Sequence, residues 1–277
     1  MKILTANIAL GLENMDHLLP IIRGHLAFHG STMVNFLFHP KSLKKAQARP
    51  SRRRTEYLFG HVNLQNTLKL VERTGADIVV LNEVLPQFHF AQLEPHLEEL
   101  GYRTRVWGES MHYPDATVST LIASKMPGSV VPIDLSWEEH AGGGAGVAAV
   151  RFDDSAITAI GLHLGIADKF PWLYEAEISA LAKFIAEEQA AGREVIAAGD
   201  WNASAAFIQR HRSFSKLGLA DAAGDIPTCP TFLPWQKPLD HVFVPKSWSV
   251  LDRQACAFGS DHLALIVNVA DTRDAVL

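Results

Sequence analysis

The sequence predicts a mixed α/β (α+β) layered domain, and three observations carry that reading. Short apolar, β-branched runs recur along the chain; helix-spaced apolar residues separate some of them; and several neighbouring runs are joined by turns too short to hold a helix. The runs are Lys2–Ala6, Asp77–Leu81, Tyr102–Trp107, Val118–Ala123, Val147–Phe152, Ala156–Leu162, Glu194–Ala198, His241–Val244 and Leu263–Val269. Leu64, Leu68 and Val71 fall on one helical face, as do Ile178, Leu181 and Ile185, and the second helix has Asp168 and Pro171 as start signals. Strict strand–helix alternation, which marks an all-parallel sheet, is missing. No repeat or linker divides the chain, so residues 1–277 read as one domain.

Composition narrows the class. Of 277 residues, 48% are hydrophobic and 20% charged, an ordinary balance for a chain with a sizeable core. There is no apolar stretch of about 18 residues to span a membrane. The opening MKILTANIAL has neither the long apolar run nor the cleavage site of a signal peptide and reads as a first strand. Two cysteines, Cys229 and Cys256, give neither a disulfide framework nor a metal spacing, so a thiolate zinc site is not expected and a reducing cytoplasm is the expected location. A formal charge of −5 argues against a surface that coats polyanions as a whole.

Residues 12–60 stand apart as an insertion between the first strand and the Leu64 helix. Its 39–56 stretch, HPKSLKKAQARPSRRRTE, holds seven Lys or Arg; its 18–38 stretch is more apolar and carries His25 and His29. A charge block of this kind is ordinarily a solvated loop. The sharper reading is an arm for phosphate or nucleic acid, although no aromatic residues are interleaved for base stacking. Residues 18–54 are in any case the candidate for peripheral membrane or phosphate contact.

The ends of the apolar runs carry the chemistry. Asn7 follows KILTA, Glu83 follows DIVVLN, His163 follows AITAIGL, and Asp200 and Asn202 follow EVIAAG; Asp240 precedes HVFV, and Asp261 with His262 precede LALIVNV. Singly, each has an ordinary structural explanation as a cap, a turn or a packed histidine. Together they make a coherent set, because antiparallel strands bring opposite chain ends to one sheet edge. Oxygens from Glu83, Asp261 and Asn7 suit a hard cation, Mg²⁺ or Mn²⁺. Asp200 suits a base that activates water, with Asn202 holding the phosphate or the nucleophile. Asp240 and His262 form a candidate Asp–His pair, and His163 adds a proton donor or phosphate ligand. No nucleophilic Ser or Cys motif appears, so phosphoester hydrolysis is favoured over acyl transfer.

At these residues the sequence resembles the endonuclease/exonuclease/phosphatase superfamily, the fold of deoxyribonuclease I. TANI, DIVVLNEV, STLIASKMP, GLHLG, AAGDWNAS, PLDHVFV and GSDHLALIV occur in the family's order from residue 1 to about 269. The resemblance implies a four-layer sandwich of two packed mixed β-sheets flanked by helices, with a divalent-metal phosphoesterase site at one edge. It also implies Glu83 as the main metal ligand, Asp200 as base, Asn202 as orienter, Asp240 supporting His262, and His262 on the phosphate. His163 stands where members that cut at abasic DNA sites carry Tyr, which is more like the deoxyribonuclease I, sphingomyelinase and general phosphoesterase branches. Asn82 replaces a commoner Gln, a change expected to be harmless; the glycine often found before STLIASK is missing, and the 12–60 insertion has no counterpart.

The expected function is divalent-metal-dependent cleavage of DNA or RNA by in-line attack of an activated water. The alternative is a phosphodiesterase or phosphatase for a phospholipid headgroup or small phosphoester, with a non-catalytic module on the same fold a more remote third. AGGGAG at 141–146 leads into a strand rather than a helix and is read as a flexible turn, not a phosphate loop. A dinuclear metallophosphoesterase is disfavoured because no Gly-Asn-His segment occurs.

Overall fold

The computed structural model describes residues 1–8, 64–108, 111–113, 116–133, 146–168, 171–229 and 236–272. The basic and apolar stretches of the 12–60 insertion and the glycine run at 141–145 lie outside the described residues. Thirteen strands and four α-helices are described: β1 Lys2–Asn7, α1 Gln65–Thr74, β2 Ile78–Val84, α2 Pro86–Glu99, β3 Thr104–Trp107, β4 Met111–Tyr113, β5 Ala116–Ser124, β6 Gly128–Val130, β7 Gly146–Phe152, β8 Ile157–His163, α3 Pro171–Ala190, β9 Glu194–Asp200, α4 Ala205–Arg210, β10 Leu219–Asp221, β11 Asp240–Pro245, β12 Trp248–Cys256 and β13 Ala264–Asp271.

They form two mixed sheets. The first runs β12-β13-β1-β2-β5-β3, with β4 also on β5, and the second runs β10-β11-β9-β8-β7-β6. β1 and β2 are parallel, as are β8 and β9; the other pairs are antiparallel. Three apolar clusters give the layering. Leu4, Ala6, Val79 and Leu81 of the first sheet pack under α1 and α2, against Leu70, Val71, Leu93 and Leu97. Ile3, Ile78, Val80 and Leu265 face Ala159, Ile196, Ala198 and Val242 between the sheets. Ile160, Leu162, Val195 and Ala197 pack under α3, against Ile178, Leu181 and Ile185. Central strands are therefore apolar on both faces, which explains why they read as continuous runs rather than alternating ones. The result is the expected four-layer sandwich. No helix among the described residues is long and apolar enough to cross a membrane.

α3 starts on Pro171, where a missing N–H costs nothing. Its far end is pinned by Glu188. Arg151 of β7 donates to both carboxylate oxygens of Glu188, Thr158 of β8 donates at 2.7 Å, and Arg193 lies 3.7 Å away. The Arg151 hydrogen bonds hold Glu188 below the usual carboxylate range against the effect of burial. A carboxylate depressed in the folded state contributes stability above its unfolded pKa of about 4.3 and loses it as pH falls through the folded value. Glu188→Gln should accordingly cost about 2–4 kcal/mol at pH 7. The gap to wild type should narrow below about pH 4, as read by urea denaturation at both pH values.

Six described elements depart from the sequence reading: the short β4, β6, β10 and α4, and the longer α2 and β12. α2 was not expected: its apolar residues are sparse and Pro95 lies inside it. It is started by Pro86 and by a side chain from within, since the Leu85 N–H donates to His89 Nδ1 at 3.0 Å. Burial lowers the His89 pKa to about 4, which keeps that nitrogen an acceptor. β12 is an edge strand whose residues are largely exposed, so it lacks the apolar run that marks its neighbours.

Candidate active site

Alternation along the strands delivers the site. The parity that sends Ile3, Val80, Ala159, Ala198 and Val242 between the sheets also sends Asn7, Asn82, His163, Asp200 and Asp240 there, at the strand ends. Register aligns them: Asn7 pairs with Asn82, His163 with Asp200, and Asp240 with Asp200. The polar residues therefore occupy one open end of the seam between the two sheets.

Glu83 is placed by a bulge. Val79 and Leu81 face the helices, and strict alternation would send Val84 between the sheets, yet Val84 packs with the helix-side cluster. The β2–β5 register slips between Leu81 and Val84, and Glu83 is the extra residue, with φ 56°. Asn202 has φ 49°, and these two are the only non-glycine residues with positive φ among those described. Asn tolerates that region; Glu does so at a cost of order 1–2 kcal/mol.

Gly199 is fixed by close packing of the strands. It lies inside β9 at φ 146°, and a Cβ there would stand 1.9 Å from the Leu162 carbonyl oxygen. Close approach of β8 requires glycine at this position. Trp201 turns away from the site and is fully buried against Phe214 and Phe243.

The side chains converge on Asp200. Its Oδ2 accepts from Asn7 Nδ2 at 3.0 Å and lies 3.5 Å from His163 Nε2 and 3.8 Å from His262 Nε2; its Oδ1 accepts from the Asn202 N–H at 2.9 Å. Burial and then the charge of Asp240 raise the Asp200 pKa, partly opposed by the two histidines. Asp240 Oδ2 is 2.7 Å from His262 Nδ1, and both side chains are buried. Burial disfavours charge on His262, but the charge and hydrogen bond of Asp240 outweigh it and hold the imidazole well above its ordinary value. Asn202 Nδ2 donates to the Leu164 carbonyl at 2.9 Å, which locks its loop to the one after His163.

Asn7 Nδ2 also donates to Glu83 Oε1 at 3.2 Å. Through Nδ2, Asn7 ties Glu83 to Asp200. The donor chemistry fits a hard divalent cation. The surroundings of Glu83 raise its pKa by desolvation, His163 opposes this, and the nearby charge of Asp261 raises it further. Two carboxylates held together against their mutual repulsion are what a cation relieves. Asp200, Asp240 and His262 also offer ligand atoms within 4.8 Å of one another.

Four residues escaped the sequence reading. Asn82 is fully buried and crosses the seam: its Nδ2 donates to Thr120 Oγ1 at 3.0 Å and to the Leu162 carbonyl at 2.8 Å, and its Oδ1 accepts the Asp200 N–H at 3.1 Å. The substitution of Asn for Gln thus falls on a residue that positions the site. Ser260 Oγ donates to the Asn7 carbonyl at 2.7 Å and accepts the His262 N–H at 3.2 Å. His241, within the LDH segment, is buried with Nδ1 2.9 Å from Asp221 Oδ2 and Nε2 2.9 Å from the Ala203 carbonyl, and so anchors the loop after Asn202. Cys229, whose spacing marked no site, lies with its sulfur within 4.8 Å of a ligand atom of His262 and one of Asp261. Asn82, His241 and Ser260 sat inside quoted motifs; nothing local marks Cys229.

The sequence profile described as "Endonuclease/Exonuclease/phosphatase family" matches residues 60–262, most of the chain. The chain belongs to this family. Its members are hydrolases acting on phosphoester bonds and generally depend on a divalent metal. A search of curated proteins gave no match. Among solved structures, an endonuclease/exonuclease/phosphatase family protein from Leptotrichia buccalis is 12% identical with TM-score 0.64, over 98% of this chain and 99% of that one. The human Nocturnin catalytic domain with bound sulfate is 17% identical with TM-score 0.61, over 98% and 93%. A 3′ phosphatase from Neisseria bound to a product DNA hairpin is 15% identical with TM-score 0.55, over 98% and 99%. At these identities the likeness is one of fold.

Proposed function

We propose that this family member is a Mg²⁺- or Mn²⁺-dependent phosphodiesterase acting on nucleic acid. The observation that carries the reading is the convergence on Asp200, a buried carboxylate with raised pKa, of two histidines and two asparagines at one end of the seam. Glu83 and Asp261 would hold the cation, with Asn7 fixing Glu83. The cation would neutralise charge on the phosphoryl oxygens. Asp200 takes a proton from water, whose oxygen attacks phosphorus in line with the departing ester oxygen. His262, kept cationic by Asp240, donates Nε2–H to a non-bridging oxygen, where negative charge builds. Asn202 orients the phosphate, and His163 donates to the phosphate or to the leaving oxygen.

Nucleic acid is favoured by a cavity of about 530 Å³ lined by Lys69 and Arg73 of α1, Asn66, Leu70, and Ala257, Phe258 and Gly259. Gly259 is two residues from Asp261, so its Cα lies within about 7 Å of that ligand residue's Cα. Two cations one helical turn apart suit a phosphate flanking the one being cleaved.

The test is a substrate panel of plasmid DNA, RNA, sphingomyelin, inositol phosphates and a bis-aryl phosphate. EDTA should abolish hydrolysis and Mn²⁺ restore it. Binding to nucleic acid should weaken steeply with salt, and Lys69→Ala with Arg73→Ala should flatten the log–log slope by about 1–2. Hydrolysis of the lipid or small esters with no nucleic-acid binding at low salt would overturn the substrate assignment.

A further inference from the structure

We propose that Cys229, Asp261 and His262 form a binding site for a thiophilic divalent cation of the zinc class, and that filling it shuts off the catalytic centre. The binding half stands on geometry alone; the inhibitory half rests on the function proposed above.

The three side chains offer one sulfur, one nitrogen and one oxygen, all within 4.8 Å of one another. A tetrahedral zinc site with bonds of 2.0–2.3 Å has donor-to-donor edges of about 3.3–3.8 Å, so closure needs side-chain adjustments of about 1 Å. Asp200 Oδ2, 3.8 Å from His262 Nε2, can supply a fourth donor or leave the position to water. Sulfur makes this set unsuitable for Mg²⁺, which takes oxygen.

The scaffold is already fixed. The Cys229 N–H donates to the Lys237 carbonyl at 3.1 Å and its carbonyl accepts from Lys237, while the Leu263 N–H donates to the Thr228 carbonyl at 2.9 Å. These bonds tie the cysteine backbone to the segments that precede β11 and β13. Asp240 occupies His262 Nδ1 and leaves Nε2 as the ligand atom, the carboxylate–histidine arrangement that orients imidazoles toward zinc. An ordinary thiol is protonated at neutral pH, so binding as thiolate must expel that proton. The bound cation then takes His262 Nε2, the atom assigned to the phosphate, and Asp261, a carboxylate of the hard-cation set. Inhibition follows from occupancy, with no change of fold.

Cd²⁺ serves as the probe, because thiolate coordination gives it a near-ultraviolet absorption band. The full chain should bind one equivalent, with the band and proton release appearing together. Both should vanish in Cys229→Ser and persist in Cys256→Ser. With Mg²⁺ as activating cation, one equivalent of Zn²⁺ should lower wild-type hydrolysis at least ten-fold. Cys229→Ser, normalised to its own zinc-free rate, should need at least ten-fold more Zn²⁺. A wild-type titration without the band, or a band retained by folded Cys229→Ser, overturns the site. Equal Zn²⁺ sensitivity of the two proteins overturns the inhibitory role. Cd²⁺ binding as described in a chain that cleaves no phosphoester would sink the hydrolase reading and leave the cation site standing.

Discussion

Asp200→Asn is expected to lower kcat for phosphodiester hydrolysis by about 10²–10⁴-fold while the protein melts close to wild type. The substitution preserves shape. Asn can keep Oδ1 as acceptor for the Asn202 N–H, and it removes a buried charge that stands against Asp240. What it removes is the basic oxygen beside Asn7 and His163. Because that oxygen acts on water rather than on substrate, KM should change far less than kcat. Full activity in a correctly folded variant would refute the assignment of Asp200 as base. Loss of activity accompanied by an equal loss of melting cooperativity would show a structural role instead.

His262→Ala should reduce kcat by about 10²–10³-fold, the scale of a lost donor to developing negative charge. Asp240→Asn should cost about 10–100-fold, because Asp240 acts only by orienting and charging His262 through the 2.7 Å contact at Nδ1. The two losses should not add. In a His262→Ala background, Asp240→Asn should lower the rate by less than about three-fold, since the group it serves is gone. Additive losses would mean that Asp240 reaches the reaction by another route, and the most direct is its charge on Asp200.

The strands that carry the chemistry were legible because each is a continuous apolar run ended by a polar residue, and the sandwich buries both faces of such strands. Strand parity would have gone further, since Asn7, Asn82, His163, Asp200 and Asp240 share the phase of the inter-sheet residues in their own strands. Glu83 breaks that phase, and only the bulge explains how it reaches the rim. α2 was hidden because its start is set by His89 rather than by a capping residue, and β12 because an exposed edge strand needs no apolar run. Cys229 could not be found by spacing. It lies 33 positions before His262 and meets it only when the segments preceding β11 and β13 come together.

Asn82 gives the Asp200 amide a particular meaning. That N–H donates to a side chain rooted in the other sheet, so it belongs to the docking of the two halves rather than to the ladder of either. Its hydrogen should exchange with solvent only when the sheets part, at the free energy of global opening. Amides near the exposed rim of β12 would exchange through local fraying long before. The slowest exchange in the molecule is then expected beside the base, and isotope exchange at this one position would report whether the sandwich is closed.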